Sequence, residues 1–181
     1  MKTLVVVFGP NGVGKSTVCG KLLEQTPQSA YLDAEWCRMI NPFPFTPCTL
    51  DLVARNMTDL LANYLNCPEI RTVFFPYGLH GARREIWERV LTALRERCGE
   101  FRFCPILLLC GEEENIRRMQ TDGRDEERIR RAVQASRSVY ADCPFPAIDV
   151  TCLTPTETAG EIQGLLARES FWNDFKTKEN L

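Results

Sequence analysis

Near its N-terminus the chain reads Leu4-Val5-Val6-Val7-Phe8-Gly9-Pro10-Asn11-Gly12-Val13-Gly14-Lys15-Ser16-Thr17. The first five residues are apolar and rich in valine, which predicts a buried strand. The remainder fits the pattern G-x-x-x-x-G-K-[ST], whose glycines let backbone N–H groups turn inward around a phosphate. A helix predicted from about Ser16 to Gln25 aims the positive end of its dipole at the same place. Strand, loop and helix therefore agree on a phosphate-binding loop.

The pattern also predicts what the side chains of this loop do. Lys15 is expected to reach the β- and γ-phosphates of a nucleotide, which makes it a candidate catalytic residue. The Ser16 hydroxyl is the expected Mg²⁺ ligand, so ATP and Mg²⁺ are the expected cofactors. The candidate nucleotide-binding residues of the loop are Gly9, Pro10, Asn11, Gly12, Val13, Gly14, Lys15, Ser16 and Thr17.

Composition limits the possible classes of protein. A chain of 181 residues with 44% hydrophobic content predicts one domain over residues 1–181. The net charge of −2 argues against a nucleic-acid polymer as partner. Apolar runs such as Ile106 to Cys110 are too short for a membrane helix, so no membrane partner is expected. Nine cysteines without a C-x-x-C pair predict reduced thiols and a cytoplasmic location. The oligomeric state stays open.

Strand and helix signals alternate along the chain. This order predicts an α/β fold in which a parallel five-stranded sheet lies between two layers of helices. The tail from Glu169 to Leu181 is polar and is predicted to fray. Strands are predicted at Lys2–Phe8, Ala30–Asp33, Thr72–Phe75, Arg102–Leu109 and Ala147–Thr151, and the helices after the first at Ala34–Ile40, Leu50–Leu65, Ala82–Arg97, Glu113–Thr121, Glu126–Tyr140 and Pro155–Arg168.

An acid follows the second predicted strand. Ligands of parallel sheets bind beyond the carboxyl ends of the strands, so Asp33 is placed to accept a proton from a substrate hydroxyl. Arg38 on the next helix would hold an anionic group. The alternative is structural, because Asp33 is also a good N-cap and Glu35 lies in the first turn, where acids are favoured anyway.

Arginines are concentrated between Asn115 and Arg131. Guanidinium groups on a hinged pair of helices would close over a triphosphate, whereas the alternative is a solvated face with intrahelical ion pairs. Arg124 follows Gly123 in the break between the helices and has no acid four residues earlier, so it is the first candidate for a catalytic arginine. Arg128 is the second. Acids four positions earlier explain Arg117, Arg118, Arg130 and Arg131 as surface pairs.

Missing motifs exclude other nucleotide-binding classes. The chain has neither Asn-Lys-x-Asp nor Asp-x-x-Gly, so it is not expected to be a GTPase. Its third strand runs into Pro76-Tyr77-Gly78 without the acidic pair of the larger ABC and AAA+ ATPases. A metal would then be held by Ser16, the phosphates, water and Asp33.

Together these residues resemble the small P-loop kinases: nucleoside monophosphate kinases, shikimate and gluconate kinases, and the chloramphenicol phosphotransferase-like group described as AAA-type ATP-binding proteins. The resemblance covers most of the chain. It rests on the phosphate loop, on Asp33-x-Glu35-x-x-Arg38, which looks like the D-x-D-x-x-R of several members, and on the arginines from Arg118 to Arg124. Glu35 departs from the second aspartate, and Pro76-Tyr77-Gly78 differs from the glycine-rich turn of shikimate kinases.

The resemblance implies a P-loop nucleoside triphosphate hydrolase fold of the nucleotide-kinase type. It implies a helical lid at about 113–140 and an acceptor-binding flap at about 36–65. The implied activity is an ATP-dependent phosphotransferase that moves the γ-phosphate of Mg-ATP to a hydroxyl or phosphate of a small molecule. The alternative is an ATP-binding regulatory or partner-binding module with little turnover.

The resemblance also implies further site residues. An arginine at the start of the lid would stack on adenine, which would fall on Arg117 or Arg118, and residues 151–154 would line the other side of the base. His80 is expected to be a surface residue. Nucleotide binding is thus assigned to Arg118 and Arg128 beside the loop, and substrate binding to Asp33, Glu35, Arg38 and Arg55, although a solvated helix face explains Arg55 equally well. The acceptor pocket is assigned to Trp36, Phe43, Phe45, the 50–65 helix and the turn from Gly78 to Gly81, and the alternative for these aromatic residues is packing within a mobile flap.

Overall fold

A computed structural model describes residues 1–136 and 138–168 of the chain. The predicted fraying of the tail lies outside these residues. Two short 3₁₀ helices, Ala34–Arg38 and Ser138–Tyr140, accompany the regular elements. The strands are β1 (Lys2–Phe8), β2 (Ser29–Tyr31), β3 (Thr72–Tyr77), β4 (Phe101–Leu109) and β5 (Ala147–Asp149), and the helices are α1 (Lys15–Gln25), α2 (Pro47–Asn66), α3 (Arg83–Arg97), α4 (Glu112–Thr121), α5 (Glu126–Ser136) and α6 (Pro155–Leu166).

The five strands form one sheet in the order β2-β3-β1-β4-β5, and every neighbouring pair is parallel. The predicted five-stranded parallel sheet is therefore confirmed. The central strand β1 lies between β3 and β4, with Val5 in register with Phe74 on one side and Cys104 on the other. The chain leaves β1 toward one edge and later returns to the opposite edge, so a crevice opens at the carboxyl end of β1.

Alternation along β1 builds two separate cores. Leu4, Val6 and Phe8 pack against α2 and α3, whereas Val5 and Val7 pack against α1 and α6. All five side chains are fully buried, as expected for a central parallel strand covered on both faces. The three-layer arrangement follows from this pattern.

Several element bounds differ from the predictions, three of them for identifiable local reasons. Helix α2 begins at Pro47 rather than Leu50, because Thr46 caps it in a reciprocal box with Thr49 and proline occupies the first turn. The segment after β2 is a 3₁₀ helix that ends at Arg38 rather than a helix to Ile40. Helix α5 ends at Ser136, and a separate 3₁₀ helix then carries Tyr140.

Helices α4 and α5 lie over the carboxyl edge of the sheet. Their own small cluster contains Met119, Ile129 and Ala132. The buried amide of Asn115 donates from Nδ2 to the Asn11 carbonyl at 2.9 Å, which fastens α4 to the phosphate loop. This contact holds α4 above the phosphate loop.

Candidate active site

A cavity of about 1300 Å³ opens at the carboxyl edge of the sheet. Its walls come from the loop after β1, the 3₁₀ helix after β2, the loop between β3 and α3, the segment that contains α4 and α5, and residues 150–155 after β5. Convergence of five chain segments on one crevice is the arrangement expected for a ligand site in a parallel sheet.

The phosphate loop forms the floor of this cavity. Gly14 adopts a left-handed conformation, with φ of 102°, and caps α1. The Lys15 ammonium donates to the Gly9 carbonyl at 2.9 Å and to the Pro10 carbonyl at 2.8 Å. Burial lowers the pKa of Lys15 to about 8, and the positive charges of Arg83 and Arg124 add to the shift. Residues Asn11 to Thr17 line the cavity, whereas Gly9 and Pro10 do not.

Asp33 caps the 3₁₀ helix with one carboxylate oxygen and faces the phosphate loop with the other. Its Oδ1 accepts the backbone N–H of Glu35 at 2.9 Å and so caps the 3₁₀ helix. Its Oδ2 accepts the Ser16 hydroxyl at 2.8 Å and the Tyr31 hydroxyl at 2.7 Å. One carboxylate oxygen is structural, and the other faces the phosphate loop.

Ser16 and Asp33 also fit the requirements of a magnesium ion. Mg²⁺ prefers oxygen ligands in an octahedron, and it keeps several waters while using one or two protein oxygens and the substrate phosphates. Neighbouring oxygens of such an octahedron are about 2.9 Å apart, close to the 2.8 Å between Ser16 Oγ and Asp33 Oδ2. Among residues 1–136 and 138–168 no group of three or more His, Cys, Asp or Glu side chains could hold a metal alone.

Glu35 and Arg38 line the cavity together with Arg83, which the sequence did not place in the site. Arg83 Nη2 donates to Glu35 Oε1 at 2.9 Å, and Arg38 Nε lies 3.7 Å from Glu35 Oε2. The Arg38 guanidinium stacks over the Phe43 ring at 4.8 Å. The only sequence signal for Arg83 was a cation in the first turn of a helix, where the dipole disfavours it.

His80 also lines the cavity, although it was expected at the surface. Its Nδ1 is buried and has no hydrogen-bond partner within the described part of the chain. Burial lowers its pKa to about 4, and the charges of Arg83 and Lys15 contribute. The imidazole is therefore neutral at physiological pH.

Arg118, on α4, has hydrogen bonds to three different segments of the chain. Its guanidinium donates to Glu114 Oε1 at 2.7 Å, to the Val13 carbonyl at 3.0 Å and to the Val150 carbonyl at 2.7 Å. Arg117 pairs with the same Glu114 rather than with Glu113. Arg118 thus lies between the phosphate loop and the residues after β5, and its predicted stacking on adenine stays a prediction.

Arg124 and Arg128 both line the cavity. Arg124 has a partner after all, because the Asp122 carboxylate lies 3.5 Å from its Nη2 across the turn. The sequence argument considered only helical spacing and missed this pair. Asp125 caps α5 by accepting the backbone N–H of Arg128 at 2.7 Å. This hydrogen bond does not involve the Arg128 guanidinium.

The proposed flap contributes less to the cavity than predicted. Arg55 pairs with Asp51 at 3.1 Å on the outer face of α2 and does not line it. Trp36, Phe43 and Phe45 are also absent from its walls, and Phe45 is 78% exposed. The predicted roles of these residues in acceptor binding are untested.

Tyr140 is a further residue that the sequence did not reveal. Its buried hydroxyl donates to the Gly9 carbonyl at 2.9 Å and accepts the Leu79 backbone N–H at 2.8 Å. It therefore joins the phosphate loop to the loop that carries His80. A contact across 131 residues has no local sequence signal.

Residues 5–138 match the family model described as AAA domain. The chain belongs to this family. Within the described ranges, this AAA domain has no helix that is both long and apolar enough to cross a bilayer. A comparison with curated proteins finds no match.

Solved structures share the fold of this AAA domain. A gluconokinase from Sinorhizobium meliloti 1021 superposes with a TM-score of 0.66 at 15% identity over 98% of both chains. The tunicamycin resistance protein of Deinococcus radiodurans gives 0.66 at 17% identity, over 92% of this chain and 96% of that one. The APS kinase CysC of Mycobacterium tuberculosis, in complex with AMPPNP and APS, gives 0.61 at 18% identity over 92% and 98%. The fold is that of the small P-loop kinases.

Proposed function

We propose that the protein is an ATP-dependent phosphotransferase that moves the γ-phosphate of Mg-ATP to a hydroxyl or phosphate of a small molecule. One observation carries the proposal: Asp33 Oδ2 lies 2.8 Å from the Ser16 hydroxyl, in the same cavity as the Lys15 ammonium. A carboxylate whose only role was to cap the 3₁₀ helix would not need to face the phosphate loop. The kinase folds of the neighbours, one in complex with AMPPNP, support the use of ATP.

Each residue of the site has a separate role in the proposed reaction. For a hydroxyl acceptor, the oxygen attacks the γ-phosphorus while the bond to the bridging oxygen of ADP breaks and its electrons stay with ADP. Asp33 accepts the hydroxyl proton. Lys15 and Arg124 stabilise the negative charge of the moving phosphoryl group. Ser16 would hold Mg²⁺, which supplies charge neutralisation at the β- and γ-phosphates.

Changing Asp33 to Asn tests the proposal. The amide keeps the shape of the side chain but cannot accept the proton, so kcat should fall by about 10²- to 10⁴-fold while ATP binding persists. Asp59→Asn is the matched control, because Asp59 only pairs with Arg97 on the surface. Transfer from [γ-³²P]ATP to nucleosides, nucleotides, sugars, and phenicol and aminoglycoside hydroxyls measures kcat, and calorimetry measures the Kd of ATP.

Two results contradict the proposal in different ways. Full turnover of Asp33→Asn would show that Asp33 is not the base. No phosphorylated product from the unmodified protein with any acceptor would reject the phosphotransferase and leave an ATP-binding module with little turnover.

A further inference from the structure

The hydroxyl of Tyr140 is the point at which three segments of the chain meet. It donates to the Gly9 carbonyl at 2.9 Å and accepts the Leu79 N–H at 2.8 Å. Gly9 opens the phosphate loop, Leu79 lies in the loop between β3 and α3, and Tyr140 ends the 3₁₀ helix that follows α5. The side chains of Tyr140 and Leu79 are both buried, so the two hydrogen bonds are shielded from water and are strong.

The Gly9 carbonyl has a second donor. The Lys15 ammonium lies 2.9 Å from this oxygen and 2.8 Å from the Pro10 carbonyl. A carbonyl oxygen has two lone pairs, so Tyr140 and Lys15 together use the whole capacity of the Gly9 oxygen. Two donors compete for the electron density of one acceptor, and each hydrogen bond is weaker than it would be alone. The position of Lys15 therefore changes the strength of the hydrogen bond from Tyr140.

A nucleotide would move the Lys15 ammonium. In the proposed function this group reaches the β- and γ-phosphates. A charged phosphate oxygen is a stronger acceptor than a neutral backbone carbonyl, so the ammonium leaves its contacts with Gly9 and Pro10. The Gly9 carbonyl then keeps Tyr140 as a donor without Lys15 as a competitor.

The backbone around this hydroxyl is held in place when Lys15 moves. Phe145, on the segment after Tyr140, stacks on Phe8 with the ring centroids 5.0 Å apart and an angle of 22° between the rings. Gly9 lies so close to β4 that an added Cβ would be 2.5 Å from the Leu108 carbonyl oxygen. Gly9 and Tyr140 therefore stay close together, and the change appears as a stronger hydrogen bond between them.

The hydroxyl passes this change on to Leu79. A hydroxyl that donates more strongly also accepts more strongly, because successive hydrogen bonds polarise one another. The next residue is His80, whose side chain lines the cavity. A stronger hydrogen bond at Leu79 therefore orders the loop from Gly78 to Gly81, which is predicted to belong to the acceptor pocket.

We propose that Tyr140 is a positioning residue that couples ATP binding at the phosphate loop to the order of the loop from Gly78 to Gly81. ATP withdraws Lys15 from Gly9, the hydrogen bond from Tyr140 strengthens, and Leu79 is held more firmly. Coupling between two sites is reciprocal, so an acceptor that orders this loop raises the affinity for ATP. The inference rests on the ATP binding of the proposed function, but it does not require phosphoryl transfer.

Hydrogen exchange of the Leu79 amide, followed by NMR, measures the coupling directly. AMPPNP·Mg should slow this exchange by about 5-fold, the lower end of typical coupling between sites, relative to the amides of β3. Those amides are the internal reference, because a ligand slows exchange at every amide that opens only by global unfolding. Tyr140→Phe should abolish the relative change. Tyr64→Phe, which alters another tyrosine of the same core, should retain it.

Lys15→Met supplies a second test, in which the expected change is opposite to a general loss of stability. Without nucleotide, this substitution removes the competing donor from the Gly9 carbonyl, so exchange at Leu79 should slow relative to the amides of β3. Lys21→Met is the matched control on α1, because Lys21 pairs with Glu24 at the surface and should leave the ratio unchanged. This measurement decides the matter if Tyr140→Phe does not fold.

The outcomes separate this inference from the proposed function. The coupling is overturned if AMPPNP·Mg does not slow exchange at Leu79 relative to β3, or if it does so equally in Tyr140→Phe. Unchanged or faster relative exchange in Lys15→Met also overturns it. If the expected slowing occurs but no acceptor is phosphorylated, the coupling stands and the phosphotransferase fails. Absence of AMPPNP binding would overturn both.

Discussion

Removal of the Tyr140 hydroxyl should lower the free energy of unfolding, because two hydrogen bonds of this hydroxyl are lost. In Tyr140→Phe, the N–H of Leu79 loses its acceptor in a position where Leu79 is 2% exposed, at a cost of about 1–3 kcal/mol. The Gly9 carbonyl loses one donor but keeps the Lys15 ammonium, so this loss is smaller, about 0.5–1.5 kcal/mol. The free energy of unfolding should therefore fall by about 1.5–4.5 kcal/mol.

Urea unfolding followed by tryptophan fluorescence measures this change. The melting temperature should fall by about 5–15 °C for a chain of this size. Tyr64→Phe is the matched control, because Tyr64 packs against the same core and its hydroxyl has no hydrogen bond in the described part of the chain. If the two variants unfold with the same free energy, the reasoning about the buried hydroxyl is refuted.

Other predictions concern the phosphate loop and the nucleotide site. Cys152 is exposed and lines the cavity, whereas Cys48 is exposed outside it; ATP should slow alkylation of Cys152 and leave Cys48 unaffected, and equal rates would place the nucleotide elsewhere. In Gly12→Ala, the added Cβ would collide with Cγ of Met119 at a φ of +80°, so calorimetry should detect no ATP binding. Gly20→Ala meets no atom within 4 Å and should unfold at a temperature no lower than the unmodified protein. Because the pKa of Lys15 is lowered to about 8, its ammonium is lost as pH rises through that value, and ATP affinity should fall between pH 7 and pH 9. Lys15→Arg should remove this dependence, and a constant Kd in the unmodified protein would contradict it.

Much of the fold could be predicted because its signals are local. The buried run before Gly9 and the glycine spacing after it predict strand, loop and helix without any distant contact. The predicted helix start at Pro155 is confirmed, with a capping box formed by Thr154 and Glu157. Thr46 and Pro47 form the same local signal, but the predicted helix begins only at Leu50.

The rest of the site depends on contacts between distant segments. Arg83 meets Glu35 across 48 residues and Tyr140 meets Gly9 across 131. Such pairs follow from the strand order, which periodicity does not specify. Arg124 illustrates a smaller error, since its partner Asp122 belongs to a turn whose geometry is not that of a helix.

The contacts of α4 fix one of the two helices of the predicted lid to the phosphate loop. Asn115 and Arg118 bind carbonyls of the phosphate loop, so α4 cannot rise without disrupting the loop. If the predicted lid closes, α5 is the part that would move, about the turn that contains Gly123, whose φ is +72°. Arg118 would keep its distance to the phosphates throughout the cycle, whereas Arg128 would approach and withdraw in each turnover.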